Sequence, residues 1–229
     1  MNPPRRHTVG WADHYRPTTL KAMALAPELR QRFEWYLASE VLPRSLLLHG
    51  PSGVGKTTIA TIIADTLYAS DGLPRVRRVK ATEAGTVGLI RTGVIDSMRA
   101  EPGPRLVIFE EASELTDEAQ AALRVPMEDY ADHCRVIFLM NDRSSTFDDA
   151  LRSRCDVIEM RLPPLAECAR ILGAVLKAEG IPPVASEVLA RVTAYFAAAS
   201  TDNKRDLRTL LADAEVAVAT SPIRPKRSS

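Results

Sequence analysis

With 229 residues, the chain has room for one or two domains and an ordinary core that needs no disulfide staples. Its 45% apolar and 26% charged composition excludes a disordered or fibrous protein, and a net charge of +1 leaves any nucleic-acid surface to a local patch. Cys134, Cys155 and Cys168 have neither metal-ligand spacing nor an even count, which fits a reducing compartment. No apolar run approaches the roughly 20 residues of a membrane span. The first residues, Met1 to Arg6, show no hydrophobic signal core. A cytoplasmic protein without a membrane partner is therefore expected.

In chain order, a short lead-in carries Trp11 and Tyr15-Arg16-Pro17, followed by a helical pattern over Pro27–Leu37. The run Leu46-Leu47-Leu48-His49 then reads as a buried strand that stops at Gly50-Pro51-Ser52-Gly53-Val54-Gly55-Lys56-Thr57-Thr58. Apolar residues at Ile59, Ala60, Ile62, Ile63 and Leu67 predict a helix from Thr57 to Ser70. The loop fits G-x-x-x-x-G-K-[ST] from Gly50 to Thr57, with the strand before and helix after that distinguish it from an ordinary glycine turn. Glycines let successive backbone N–H groups face phosphate oxygens, and the helix N-terminus adds unpaired donors and partial positive charge. Lys56 is expected to reach the β- and γ-phosphates, and the Thr57 hydroxyl to ligate Mg²⁺. The chain is expected to bind a nucleoside triphosphate.

Further strands are expected at Arg77–Lys80, Leu106–Glu110, Arg135–Met140 and Asp156–Met160. Helical patterns lie near Val87–Arg99, Asp117–Glu128 and Thr146–Leu151, with a Gly103-Pro104 turn before the third strand. The alternation predicts an α/β fold with a five-stranded, mostly parallel sheet covered on both faces. Beyond Pro163-Pro164 no strand pattern remains. Cys168, Ile171, Leu172, Val175 and Leu176 share one helical face, as do Leu207, Leu210, Leu211, Ala214 and Val218. The expected division is residues 1–162 as core with lead-in, 163–221 as a three-helix lid, and 222–229 as a disordered basic tail.

Leu106-Val107-Ile108-Phe109 ends in Glu110-Glu111. Placed beside the phosphate loop, Glu110 would hold the metal shell, and Glu111 would orient or deprotonate the attacking water. Asn141, after the fourth strand, could bond the γ-phosphate or the water from the far side, or simply form a turn before Asp142. Arg154, in Ser153-Arg154-Cys155, suits a site in a neighbouring subunit better than its own, though a solvated arginine has the same local sequence. Arg208, in Asp206-Leu207-Arg208, sits where a lid residue could reach the γ-phosphate, with Arg205 as competitor. Arg75, Arg77, Arg78, Lys80 and Arg91 could touch nucleic-acid phosphates or form a solvated face.

Taken together, these motifs resemble an AAA+ ATPase of the sliding-clamp loader family, near the small subunits of replication factor C and the ATPase subunit of phage clamp loaders. The likeness is carried by Trp11-Ala12-Asp13-His14-Tyr15-Arg16-Pro17, the phosphate loop, Glu110-Glu111-Ala112, Ala119-Gln120-Ala121-Ala122-Leu123-Arg124, Asn141, Ser153-Arg154-Cys155 and Asp206-Leu207-Arg208. It implies an ATPase using ATP and Mg²⁺, with Asn141 as sensor 1, Arg154 as a trans-acting finger and Arg208 as sensor 2. It also implies Arg16 and Pro17 near the adenine and ribose, and Gln120 and Arg124 on a helix coupling DNA contact to the ATP site. The implied partners are other clamp-loader subunits in a homo- or hetero-oligomer, a sliding clamp and primer-template DNA, in a bacterial or phage-infected cell.

Two departures stand out. The family has Asp then Glu where this chain has Glu110-Glu111, so slow hydrolysis is expected because a misplacement of about 1 Å can cost on the order of 100-fold. The family also continues into a helical collar, so the expectation is either a collar-bearing partner or association through the ATPase domains alone. An AAA+ remodeller of another target and a slow or non-hydrolysing ATP switch are the alternative functions.

Overall fold

Five segments pair side by side as strands: β1 (Ser45–His49), β2 (Val76–Lys80), β3 (Arg105–Glu110), β4 (Cys134–Met140) and β5 (Cys155–Glu159). The computed structural model of the chain describes residues 8–68, 75–84, 88, 90–100, 104–141, 147–181, 185–197 and 206–220. The sheet order is β2-β3-β4-β1-β5 and every pairing is parallel. A parallel sheet is covered on both faces, so its inner strands are apolar throughout. Leu46, Leu47 and Leu48 of β1 and Leu106 to Phe109 of β3 are accordingly buried. Only the edge strand β2 carries charge at most positions, exposing Arg77, Arg78 and Lys80, which blunts an edge against foreign pairing.

The helices of this unit, Glu28–Arg161, flank the strands in sequence. They are α2 (Pro27–Leu37), α3 (Lys56–Leu67), α4 (Ala81–Ala84), α5 (Ile95–Arg99), α6 (Asp117–Asp129) and α7 (Asp149–Arg152), after α1 (Trp11–His14) of the lead-in. A π-helical stretch, Ile90–Val94, precedes α5. Phe109 and Phe138 stack at 5.2 Å in the core, with Phe147 edge-on to Phe138 at 4.9 Å. All three cysteines are buried and free, and burial pushes the Cys134 and Cys155 thiols up to about 12 and Cys168 to about 11.

The second unit joins Met1–Pro27 to Leu162–Ser229. It contains α8 (Leu165–Ala178), α9 (Ala185–Ala197) and α10 (Leu207–Thr220). The apolar face expected from Cys168 to Leu176 is buried against Val188, Val192, Leu210 and Leu211. Trp11 and Ala24 complete that core. The Trp11 backbone N–H donates to Glu215 at 2.8 Å, the Tyr15 hydroxyl donates to the buried Glu179 carboxylate, and Arg170 donates to the Met23 carbonyl at 2.9 Å. The start of the lead-in thus packs with the helices that close the chain, whereas sequence order had grouped it with the sheet. Contacts spanning more than a hundred residues drive this, and no local pattern reports them. Residues 222–229 and Arg205 lie outside the described residues.

Candidate nucleotide site

Gly50 ends β1 with φ 141°, and a Cβ there would lie 2.0 Å from the Met160 carbonyl oxygen. Two backbone bonds fix the turn: Gly50 N–H donates to Met140 at 3.2 Å, and Met160 N–H donates to His49 at 2.7 Å. Gly55, at φ 96°, supplies the left-handed residue before α3 begins at Lys56. The first N–H groups of α3 have no partner within the helix. Pro51 and Ser52 are exposed and Gly53, Thr57 and Thr58 half-buried, while Val54 is buried under the loop. Lys56 is only 6% exposed, and its ammonium donates to the carbonyls of Gly50 at 2.8 Å and Pro51 at 2.6 Å. A buried cation needs such acceptors, and a phosphate at the loop mouth offers better ones.

Because the strands run parallel, the ends of β1, β3 and β4 share one edge of the sheet. β4 lies between β1 and β3, so Asn141 occupies the strand tip next to the loop. Glu110 and Glu111 come from one strand further out. The Glu110 carboxylate pairs with Arg78 at 3.3 Å, and Arg78 also donates to the Thr61 hydroxyl at 2.7 Å, one turn along α3 from Thr57. Arg78, considered above for nucleic-acid contact, is therefore engaged at the site edge, and nothing local in the sequence paired it with Glu110. Glu111 is exposed at φ 57° and ψ 44°, the one non-glycine with positive φ among the described residues. The left-handed backbone costs an L-residue about 1–2 kcal/mol, and such strain clusters at functional sites. Burial lowers the His49 pKa, with Lys56 adding to the shift and Glu159 opposing it, which favours a neutral imidazole at the end of β1.

Arg154 is elsewhere. It precedes β5, whose first residue Cys155 pairs in register with Ser45 at the start of β1. The phosphate loop follows the other end of β1, one strand length away, roughly 16 Å at about 3.3 Å per residue. The two thus sit on opposite edges of the sheet. Arg16, Pro17 and Arg208 belong to the other unit. Arg16 pairs with Asp13 at 2.7 Å, and Arg208 is exposed in the first turn of α10, which Asp206 caps by accepting from the Thr209 N–H at 2.8 Å.

Sequence reading singled out Gln120 and Arg124 on α6 but missed what they hold. Gln120, 4% exposed, donates to the Leu115 carbonyl at 3.1 Å and accepts from the Asp148 N–H at 2.8 Å. Arg124 clasps the Asp148 carboxylate through two nitrogens and holds its pKa below the ordinary carboxylate value. Asp148 in turn caps α7, accepting from the Leu151 N–H at 3.0 Å.

A parallel sheet with this loop between a strand and its following helix defines a P-loop nucleotide-binding fold. The family model described as ATPase family associated with various cellular activities (AAA) matches residues 46–162, and the chain belongs to that family. It is 36% identical to the replication factor C small subunit of Natronomonas pharaonis over 69% of this chain and 49% of that protein. Against replication factor C small subunit 1 of Pyrobaculum islandicum it is 34% identical over 75% of this chain and 53% of that protein. The chain spans about half the length of these curated relatives. Both are archaeal proteins and lend no support to the expected bacterial or phage setting. The Thermotoga maritima RuvB Holliday junction branch migration motor has the same fold, with TM-score 0.60 at 21% identity over 87% of this chain and 72% of that one. Among the described residues, no helix is long and apolar enough to cross a membrane.

Proposed function

We propose that the chain is the ATP-binding and hydrolysing subunit of a DNA sliding-clamp loader, using ATP energy to open a clamp and place it on primer-template DNA. The replication factor C names of its relatives support the setting. The observation that carries the mechanism is the split between the two edges of the sheet. One edge gathers the phosphate loop, Asn141, Glu110 and Glu111; the other presents Arg154. A site built this way leaves Arg154 out of its own subunit's reach and offers it to a neighbour.

In this reading Gly50 to Thr58 wrap the triphosphate, and Lys56 exchanges its two loop carbonyls for phosphate oxygens. Glu111, thrust off β3 by its left-handed backbone, holds and deprotonates the attacking water, while Asn141 orients it. Arg154 stabilises the transferring phosphoryl group of the next subunit. Arg208, on the helical unit, reports the γ-phosphate, and Arg16 and Pro17 border the adenine and ribose.

The donor set fits Mg²⁺. Among the described residues no group of three or more His, Cys, Asp or Glu side chains is arranged to hold a metal alone, and Mg²⁺ at such sites takes one or two protein oxygens plus phosphates. The Thr57 hydroxyl and Glu110 carboxylate would hold it, and bound there it would neutralise phosphate charge. The Arg78–Glu110 pair favours slow turnover, since Glu110 must leave Arg78 to serve. Glu110→Asp, with a shorter reach toward Arg78, is expected to raise the ATPase rate.

The function is tested with the purified chain, its partner subunits, a sliding clamp and primed DNA. ATP-dependent capture of the clamp, with hydrolysis stimulated by clamp and DNA together, is the expected result. ATP binding with no stimulation by either would contradict clamp loading and favour a remodeller of another target or a non-hydrolysing switch.

A further inference from the structure

Arg154 is not a loose surface arginine. Its Nη2 pairs with the Glu128 carboxylate, and its Nη1 donates to the Ala150 carbonyl one turn back in α7. Its Nε is buried with no hydrogen-bond partner among the described residues. The side chain is 28% exposed, against 58% for Glu128. Both terminal nitrogens, the atoms that would face a neighbour's phosphate, are turned onto their own subunit.

Glu128 lies in the last turn of α6. Positions 120, 124 and 128 are spaced i, i+4, i+8 and share one face of that helix. Gln120 and Arg124 hold the residue that caps α7, and Glu128 holds the arginine just beyond its end. Of these three grips only the last occupies the group proposed to act on another subunit.

We propose that Glu128 is a positioning residue that stores Arg154 against its own subunit until a nucleotide phosphate on the neighbouring subunit displaces the carboxylate. This rests on the reading of Arg154 as a trans-acting arginine. An ion pair this exposed is weak and screened by salt, which suits a contact that must release. A phosphate, carrying more charge and more acceptor oxygens than one carboxylate, wins the exchange when it is presented at the right place.

Glu128→Gln keeps the shape of an exposed side chain and removes its charge. Phenylglyoxal labelling of the full chain, read by peptide mass spectrometry, should modify Arg154 several-fold faster in Glu128→Gln than in the parent. Labelling of Arg170 in the same samples should not change. In the assembled ATPase, Glu128→Gln should raise kcat a few-fold at unchanged KM for ATP, and Glu128→Asp should restore the parent rate and labelling. Unchanged labelling, or a kcat that falls or stays level, overturns the store; a fall would mean the carboxylate aims Arg154 instead. Arg154→Ala separates this from the underlying reading. If that variant hydrolyses ATP at the full rate in the assembly, the trans arginine itself is wrong. If it abolishes hydrolysis while Glu128→Gln slows it, the trans arginine stands and the store falls.

Discussion

The phosphate loop and the Arg154 element sit on opposite edges of one sheet and are built from different material. The loop is made of backbone: glycines at positive φ, a helix start, and a lysine held by two main-chain carbonyls. The Arg154 element is made of side chains drawn from distant positions: Gln120 with Asp148, Arg124 with Asp148, and Glu128 with Arg154. A backbone device restricts which residue types can occupy it, so it leaves a motif. A side-chain device constrains only pairs, and each member looks ordinary in its own stretch. The same difference should govern how each region breaks.

Gly50→Ala should be the most damaging single change to the loop. The added Cβ meets the Met160 carbonyl at 2.0 Å with φ at 141°, and neither problem can be relieved by a rotamer. Backbone strain and overpacking together should cost about 3 kcal/mol or more, seen as a lowered urea midpoint, and ATP binding by calorimetry should disappear with the loop geometry. A stable variant that still binds ATP would mean the turn tolerates a side chain.

Gln120→Leu probes the side-chain clasps of α6 instead. It leaves the Leu115 carbonyl and the Asp148 N–H without their partner in a buried place, at a cost of about 1–3 kcal/mol. ATP affinity of the isolated chain should stay within a factor of two or so, because the loop is untouched. Loss of ATP affinity as large as the loss of stability would show that the loop and these clasps are not separable.

Glu111→Asn should move stability the other way. Asparagine tolerates the left-handed conformation better than glutamate, so the fold should gain up to about 1 kcal/mol, a rise in Tm of about 2–4 °C for a chain of this size. Hydrolysis should fall away while ATP binding persists. An unchanged or lower Tm would show that the φ of 57° stores no strain.

Much of the fold was legible. All five strands were marked to within a residue at each end, the three inner ones by apolar runs, because inner strands of a parallel sheet exclude polar positions. The helix over residues 117–129 was read through Pro126, which supplies no N–H yet leaves the helix intact. Strand order was not legible. The carboxylates that end β3 were expected beside the phosphate loop, whereas β4 runs between β3 and β1. Nor did local pattern reveal that Trp11 and Tyr15 pack with helices near the chain's end, or that Arg78 holds Glu110. Each of these is a long-range pairing of common residues, and such pairings leave no period or spacing behind.

The central claim is that a nucleotide site on one edge of the sheet is completed by Arg154 from the opposite edge of another subunit. It is tested most directly by mixing two inactive forms. Lys56→Ala removes the cation held at the loop, and Arg154→Ala removes the donated guanidinium, which in trans can contribute roughly 10³–10⁵ in rate. Each variant assembled with itself should hydrolyse ATP poorly, with Arg154→Ala still binding nucleotide. Combined, the two should regain ATPase activity wherever an intact loop faces an intact arginine. A co-assembled mixture that remains as inactive as either variant alone would contradict the account and make Arg154 a structural arginine.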